Sequence, residues 1–390
     1  MTNNKDKKVL NVPNLRFPEF TGEWKKCIIG ELTTKVGSGV TPRGGEAVYK
    51  SEGHPFVRSQ NIGLGHLILD DIAYIDEDTH QRQKNTELQL DDVLLNITGA
   101  SIGRSALVNQ QIVGGNVNQH VCIIRANKKL IPSFLCNFLL SQYGQKQIES
   151  FQAGGNRQGL NFEQIKSIKI GLPSVEEQKK IADLLLLIEQ RITTQNKIIE
   201  DLKKLKSAIS LKMLHSDSWE QFKIQDIASI GRGRVISSVE ISQQENPLYP
   251  VYSSQTSNDG IMGYLDDFMF EGEYISWTTD GANAGTVFYR NGKFNCTNVC
   301  GLLKLKKGFD AHFVSLVLAE ATRMYVSTNL ANPKLMNNTM GNIQIRLPKL
   351  EEQKRISVVF RKLHGLLETH NSLIIKYSKQ KQYLLSQMFI

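Results

Sequence analysis

Three kinds of stretch in this 390-residue chain hold side chains at spacings that could do chemistry, and each stops short of a site. Gly99-Ala-Ser-Ile-Gly-Arg-Ser105 has the outline of a loop that cradles phosphate. Such a loop needs backbone N–H groups from a glycine-rich turn, then Lys and Ser or Thr for the outer phosphates and their metal. This stretch is one residue short and carries Arg104 where Lys belongs, so a turn at a strand end is expected. Asn246-Pro-Leu-Tyr249 approaches the Asn-Pro-Pro-aromatic site of amine methyltransferases. Its second Pro is absent and no glycine-rich cofactor turn follows a strand, so it too reads as a turn. The pairs Asp91-Asp92 and Asp266-Asp267 are too common to name a nuclease. Cys27, Cys122, Cys136, Cys296 and Cys300 are scattered, and Cys296 and Cys300 lack partners at zinc-ligand spacing. There is no His-Glu-x-x-His and no paired Cys-x-x-Cys. No residue is assigned to catalysis and none to a metal.

Ordering elements are far more explicit than chemistry. Leu172-Pro-Ser-Val-Glu-Glu-Gln-Lys-Lys-Ile181 recurs as Leu347-Pro-Lys-Leu-Glu-Glu-Gln-Lys-Arg-Ile356, a constant offset of 175 positions. A fixed-period repeat decides the architecture before anything else does. Each copy runs into a long apolar-periodic segment, ending near Met213 and Met388. The first carries Ile181, Leu185, Ile188, Ile192, Ile199, Leu202 and Ile209. The second carries Ile356, Phe360, Leu363, Leu367, Ile374, Tyr377 and Leu384. Alternating steps of three and four make a coiled-coil seam. Proline at the start and a following acidic pair suit the positive end of a helix. The spacing predicts two helices of about 38 residues, each roughly 57 Å long at 1.5 Å per residue. Gln195 and Lys206 break the first seam, and His370 and Lys381 break the second at equivalent places. Polar seam residues fix register at some cost in stability.

The expected domain order is a disordered tail at 1–14, a globular region at 15–171, a helical spacer at 172–215, a second globular region at 216–346 and a second helical spacer at 347–390. The second helix buries its stripe by returning along the first. The fold class is therefore α+β, with two similar globular domains separated by two long helices in an antiparallel coiled coil, pseudo-two-fold symmetric.

Both globular regions read as short strands bounded by Gly, Asn or Asp, followed by one late helix. In the first, strand-like runs fall at 54–58, 66–69, 92–98, 105–108 and 120–125, and 132–147 reads as a helix. The second answers in kind. Trp219 answers Trp24, Gly231-Arg-Gly233 answers Gly37-Ser-Gly39, and Gly281-Ala-Asn-Ala-Gly285 answers Gly99-Ala-Ser-Ile-Gly103. Asn295-Cys-Thr-Asn298 answers Asn116-Val-Asn-Gln119. Asn116, Asn118 and Gln119 are expected to hold a turn.

Net charge is +9, from 47 basic and 38 acidic residues. Residues 1–171 hold 20 basic against 16 acidic side chains, and 215–346 hold 11 against 13. The balance fits an anionic partner only mildly, and in the second region any nucleic-acid surface must be local. No apolar signal region opens the chain and no apolar run could span a bilayer. A cytoplasmic protein without a membrane partner is expected, with its thiols reduced.

The doubled Leu-Pro-x-x-Glu-Glu-Gln-Lys-[Lys/Arg]-Ile and its long helix, with the Gly-Ser-Gly-Val-Thr-Pro turn at 37–42, Gly-Ala-Ser-Ile-Gly at 99–103 and Asn-x-Asn-Gln-His at 116–120, resembles the specificity subunits of type I restriction–modification systems. The resemblance runs from about Leu15 to Ile390. The second region matches less well: Gly231-Arg-Gly-Arg-Val-Ile lacks the Thr-Pro, and Asn298-Val299 replaces Gln119-His120. The resemblance implies a non-catalytic subunit of a complex with adenine methyltransferase and ATP-dependent endonuclease activity. Each globular region would be a target recognition domain reading one half of a split double-stranded DNA sequence. The helices would set the spacer and dock two methyltransferase subunits, and two restriction or motor subunits would join them. No cofactor is then expected in this chain; S-adenosylmethionine, ATP and Mg would belong to the partners. The doubled signature places the docking expectation on Glu177, Gln178, Ile181, Glu352, Gln353 and Ile356.

Base reading needs Arg or Lys for guanine and Asn or Gln for adenine, carried on loops. The candidates in the first region are Arg43, Arg58, Gln60, Asn61, Arg104, Asn156, Arg157 and Gln158. In the second they are Arg232, Arg234, Ser254, Gln255, Asn258, Asn332 and Lys334. Each competes with a plainer role as a solvated loop residue or cap, and Arg104 with a structural ion pair. Three other readings stand beside recognition of DNA: a single-chain methylase or nuclease with an unrecognised site, a helical scaffold that binds only proteins, and an orphan or degenerate specificity protein.

Overall fold

The computed structural model describes residues 11–44, 48–152, 159–327 and 332–390. They form two compact units, 1–197 with 371–390 and 198–370.

The first unit holds strands β1 (Lys25–Ile28), β2 (Thr33–Ser38), β3 (His54–Val57), β4 (Ala73–Ile75), β5 (Val93–Asn96), β6 (Ser105–Leu107), β7 (Asn116–Val117), β8 (Val121–Ala126) and β9 (Lys169–Leu172). Its helices are α1 (Glu77–Arg82), α2 (Pro132–Leu140), α3 (Gln142–Ser150), α4 (Phe162–Ser167) and the first part of α5 (Val175–Met213). Three sheets result, in the orders β2-β8-β5-β6, β4-β3-β7 and β1-β9. Both β5 and β8 are buried on both faces, and the two-residue period sorts their side chains. Val93, Leu95, Cys122 and Ile124 join α2 in one core, while Leu94, Val121 and Ile123 join Val57, Ile62 and Val117 in another.

The second unit holds β10 (Glu220–Lys223), β11 (Ala228–Arg232), β12 (Tyr249–Tyr252), β13 (Ile261–Leu265), β14 (Phe270–Glu271), β15 (Tyr274–Thr278), β16 (Val287–Arg290), β17 (Lys293–Cys296), β18 (Cys300–Leu305) and β19 (Gln344–Leu347). Its helices are α6 (Ile224–Ile227), α7 (Ser238–Ser242), α8 (Ala311–Ala321), α9 (Asn337–Asn342) and most of α10 (Leu350–Gln387). The sheet orders are β11-β18-β15-β16, β13-β12-β17-β14 and β10-β19. The unit repeats the first. Sheet β11-β18-β15-β16 matches β2-β8-β5-β6. The β10–β19 pair aligns Glu220 with Leu347, as β1–β9 aligns Lys25 with Leu172. The parallel β12–β17 pair matches β3–β7.

Helices α5 and α10 are 39 and 38 residues long, as the seam predicts. They run antiparallel. In the first unit Glu189 meets Lys381 at 2.6 Å and Arg191 lies over the Tyr377 ring. Ile181, Leu185 and Ile188 share their core with Leu384, Leu385, Met388 and Phe389. In the second unit Ile209 and Met213 pack on the core that holds Ile356 and Phe360.

The glutamine of the repeated signature has a specific duty. Gln178 donates Nε2 to the carbonyls of Pro173 and Lys129, both at 3.1 Å, and accepts from the Ile131 N–H at 2.8 Å. Gln353 does the same between Pro348 and Asp310, at 2.8 and 2.9 Å. One amide thus ties the start of each long helix to the start of the late helix of its own unit.

Three expectations need correction. The helix over 132–147 is two helices: Ser141 is extended (φ −70°, ψ 162°) and its hydroxyl caps α3 through the Gly144 N–H. Residues 66–69 form no strand, only a bridge between Ile62 and Leu67. Of the expected 1–14 tail, residues 1–10 lie outside the described residues. The remainder is bonded, Asn11 to the Trp24 N–H and Asn14 to Gln387.

Candidate nucleic-acid interface

In the first unit, loops from distant parts of the chain converge through side-chain hydrogen bonds. Gln119 Oε1 accepts from the Thr41 N–H at 3.0 Å, Gln119 meets His120 at 3.0 Å, and His120 Nδ1 meets Thr98 Oγ1 at 2.6 Å. Thr98 also bridges Gly159. Asn96 donates to the Ser59 carbonyl at 2.8 Å and to Ser101 Oγ at 3.0 Å, which brings in the 59–61 turn. Gly39 makes the convergence possible, because a Cβ there would sit 1.6 Å from the Val117 carbonyl oxygen.

The second unit repeats this frame. A Cβ on Gly233 would lie 1.8 Å from the Cys296 carbonyl oxygen. Asp280 bridges Lys334 as Thr98 bridges Gly159. The N–H of Thr279 meets the Val299 carbonyl at 3.0 Å, as that of Ile97 meets His120. The glycine turns also agree: the N–H groups of Gly103 and Gly285 close onto Asn96 and Thr278 at 3.0 and 2.9 Å. These turns join β5 to β6 and β15 to β16, so the phosphate-loop outline is a hairpin connection, as the sequence suggests. Gly99–Gly103 also spells Gly-x-Ser-x-Gly. That motif exposes a nucleophile on a strand-to-helix turn. Here a strand follows, and Ser101 Oγ is held by Asn96.

The candidate side chains divide by what already holds them. Arg43 and Arg104 are exposed and have no side-chain partner among the described residues. Arg58 donates to the Asp71 carbonyl at 2.8 Å and lies 5.4 Å from the Tyr49 ring centroid. Gln60 is bonded to the Asp71 carboxylate. Asn61 is fully buried; it binds the Arg58 N–H and the Ile68 carbonyl, both at 2.9 Å, and Asp71 at 3.1 Å. Its expected role in reading bases is replaced by one in closing the 58–71 loop. Asn156, Arg157 and Gln158 lie outside the described residues. Asn116 is buried and opens β7, and its side chain bonds His80 at 2.7 Å and the Gln83 carbonyl at 3.0 Å, so it holds the turn that follows α1 from within a strand.

In the second unit every cationic candidate is engaged. Arg232 donates to Asn337 Oδ1 at 2.9 Å. Arg234 is paired with Glu240, whose hydrogen bonds raise the guanidinium beyond its ordinary range. Lys334 lies 3.8 Å from Asp280. Ser254, Gln255 and Asn258 share one loop. The Ser254 carbonyl accepts from Asn283 at 3.3 Å, Gln255 is bonded to the Ile261 carbonyl, and Asn258 is exposed at φ 49°. Asn283 links that loop to the glycine turn, and the Gly281 N–H links the turn to Pro333 at 3.0 Å, beside exposed Asn332.

Two tandem copies of one loop frame are what a family of paired readers would have, and comparison with known proteins decides which family. The chain matches the family model of the type I restriction modification DNA specificity domain twice, over residues 21–204 and 216–376. It belongs to that family. The type I specificity subunit S.MpnORF201P of Mycoplasma pneumoniae is 36% identical over 230 residues, covering 57% of this chain and 95% of its own. The specificity subunit of the type I restriction enzyme MpnII, from the same organism, is 41% identical over 177 residues, covering 44% and 53%. The crystal structure of the type I S subunit from M. genitalium superposes with a TM-score of 0.68 at 16% identity, over 97% of this chain and 99% of that one. A chain from a structure of type I complex assembly and conformational transition gives 0.55 at 16%, over 93% and 96%. Those two likenesses concern the fold.

For this specificity-family chain the expected docking positions prove to be internal. Glu177, Gln178, Ile181, Gln353 and Ile356 are at most 3% exposed: Ile181 and Ile356 join the cores, Gln178 and Gln353 make the ties described above, and the Glu177 carboxylate accepts from Arg16 and the Trp24 indole N–H. Only Glu352 faces outward. The periodicity that made them visible is that of burial, not of an open face. Among the described residues no His, Cys, Asp and Glu group could hold a metal, and no helix is long and apolar enough to cross a membrane.

Sequence reasoning missed one residue of consequence. Arg290, 2% exposed, lies 3.6 Å from the Tyr252 ring centroid and 4.4 Å from that of Phe288. It donates to Ser276 Oγ at 3.0 Å and to Asp259 Oδ2 at 2.7 Å. From within, it fixes the loop that carries Ser254, Gln255 and Asn258. An arginine closing the run Val287-Phe-Tyr-Arg290 was the available signal, because a buried charge needs a paired partner.

Proposed function

We propose that this chain is the DNA-specificity subunit of a type I restriction–modification complex, with each unit reading one half of a split duplex target. The carrying observation is the doubled loop frame: identical backbone ties at Gly39 and Gly233 and at Thr98–Gly159 and Asp280–Lys334, with different side chains mounted on each. A conserved frame with divergent loop chemistry is what two readers of different sequences require. The exposed apolar residues of the long helices suit docking of methyltransferase subunits, two per chain. Leu186, Leu187, Ile375 and Tyr383 are between 52% and 58% exposed in the first unit, and Leu211 and Val358 are exposed in the second. Restriction or motor subunits would join through that assembly. The chain itself is the non-catalytic member, and S-adenosylmethionine, ATP and Mg would be bound by its partners in the cytoplasm.

The test is co-expression with a type I methyltransferase subunit and single-molecule mapping of methylated adenine on random DNA. A split motif with a fixed gap is expected. A stable complex that methylates nothing would identify a degenerate recognition domain, and no complex at all would favour the protein-binding scaffold.

A further inference from the structure

The two units treat the same cleft differently. In the first, the cleft lies between Trp24, the Leu172–Val175 stretch and Glu177. Arg16 reaches into it and grips the Glu177 carboxylate through Nε at 2.7 Å and Nη2 at 2.8 Å. The Trp24 indole N–H donates to the same carboxylate at 3.2 Å. Phe17 and Phe20, on the same preceding segment, lie under Lys180 at 4.8 and 6.0 Å, and Glu19 pairs with that lysine. The residues from Asn11 to Glu23 therefore cap the start of α5.

The second unit has the cleft without the cap. Trp219 occupies the place of Trp24, one residue before a strand of matching register, and packs edge-on against Phe313 at 5.8 Å as Trp24 packs against Phe134 at 6.0 Å. Glu352 takes the place of Glu177, and Arg355 that of Lys180. The chain arrives here directly from α5, which ends at Met213, so no segment like 11–23 precedes Trp219. The Trp219 indole, the Glu352 carboxylate and the Arg355 guanidinium have no hydrogen-bonding or ionic partner among the described residues. Trp219 is half-buried and Glu352 exposed, where Trp24 and Glu177 are 3% and 1% exposed. A cavity of about 460 Å³ remains, lined also by Phe222, Phe309 and Pro348. Its charged lining is Glu220, Lys349 and Glu352, whereas the first cleft is lined by Lys25, Lys128, Lys129 and Arg16 against Glu23 and Glu177. The uncapped cleft is the more acidic of the two.

We infer that the cleft of Trp219 and Glu352 is a docking site for a segment of a partner protein that carries an arginine next to an aromatic residue. The arginine forms a bidentate pair with Glu352, the geometry that makes Arg and carboxylate selective for each other, and the aromatic residue covers Arg355 as Phe17 covers Lys180. A second copy of this chain is a poor donor, since its own Arg16 is committed to its own Glu177. The inference rests on the reading that the chain works within an assembly, and it makes the two units unequal as docking partners in it.

The probe is a labelled peptide with the sequence of residues 11–23, titrated into the full chain by fluorescence anisotropy. Saturable binding is expected. It should weaken at least about tenfold when the peptide arginine becomes alanine, and equally in the Glu352→Gln chain, because one charge-assisted pair is worth roughly that factor or more. Glu352 is exposed, so circular dichroism of the variant should be unchanged. In parallel, the complex with a methyltransferase subunit is assembled with wild-type chain and with Glu352→Gln. Peptide binding or assembly that weakens with Glu352→Gln supports the site. Peptide binding and assembly both indifferent to Glu352 overturn it. Peptide binding that depends on Glu352, with no methyltransferase complex formed by either chain, keeps the site and rejects the functional reading instead.

Discussion

Asp259 and Arg290 show how one ion pair can govern the loop that carries Ser254, Gln255 and Asn258. Asn258 and Asp259 both sit in the left-handed region, at φ 49° and 53°, a conformation that non-glycine residues hold only when something else enforces it. The enforcing group is the buried guanidinium of Arg290, since Asp259 itself is 67% exposed on its side chain. Replacing Asp259 by glycine relieves the strain and removes the anchor together. Stability should fall, because the buried Arg290 charge loses its carboxylate partner, and base discrimination at the second half-site should fall about tenfold, the worth of one well-formed base contact. The first half-site should be unaffected. Methylation maps of the assembled variant read both halves at once. Arg43 and Arg104 are expected to bear on affinity instead. Among the described residues they are the candidate cations with no side-chain partner, so Arg43→Ala and Arg104→Ala should each lower the slope of log affinity against log salt by about one, the signature of a lost phosphate contact. Arg234→Ala should leave it alone, because Glu240 already neutralises that charge. Sequence chemistry could nominate these residues by type. It could not tell a free arginine from a paired one, because Glu240 and Asp71 become neighbours only through the fold.

At the scale of elements, the long helices were legible and the breaks between short ones were not. A seam repeated over eleven turns leaves a strong periodic trace. The break at Ser141 leaves none, because Ser-Gln-Tyr-Gly could continue a helix and only the serine's extended backbone ends one and caps the next. Lys381 is instructive, since its sequence position marks it as a polar interruption of the seam. In the structure it donates to Glu189 at 2.6 Å and to the Leu64 carbonyl at 3.1 Å, tying α10 both to α5 and to a loop of the first unit. Burial works against the Glu189 carboxylate, but hydrogen bonds from His66 and Lys381 outweigh it and hold the group down to about 2 from an ordinary 4.5. A carboxyl held below its unfolded value lends stability that is complete above pH 4.5 and is lost as pH falls toward 2. Glu189→Gln should therefore cost about 1 kcal/mol at pH 7, where partial exposure trims the ionic bond. That difference from wild type should shrink steadily below pH 4.5. Urea unfolding at pH 7, 4 and 3 checks the trend; a difference that stayed constant with pH would mean that Glu189 carries no such ionic role.

For the whole molecule, the repeated signature made the doubled plan readable, because burial of Ile181 and Ile356 and the duty of Gln178 and Gln353 demand the same residues twice. The candidate recognition loops were not readable in the same way. Their positions are set by glycine approaches at Gly39 and Gly233, but what they touch depends on surface side chains under no such packing constraint. Fold and target specificity are thus held by separate residues, and this separation has a mechanical consequence. If the helices set the distance between half-sites, seven residues inserted in each, between Lys197 and Ile198 and between His370 and Asn371, preserve the seven-residue seam and add about 10 Å at 1.5 Å per residue. Against a base step of about 3.4 Å, that is roughly three base pairs of unread spacer. Methylation mapping of the variant complex should return both half-sites unchanged and a gap about three pairs longer. Insertion of four residues breaks the seam's phase, buries polar side chains in place of apolar ones and should cost assembly rather than shift the gap. If the seven-residue insertion left the gap unaltered, the spacing would have to be set by the docked subunits and not by these helices.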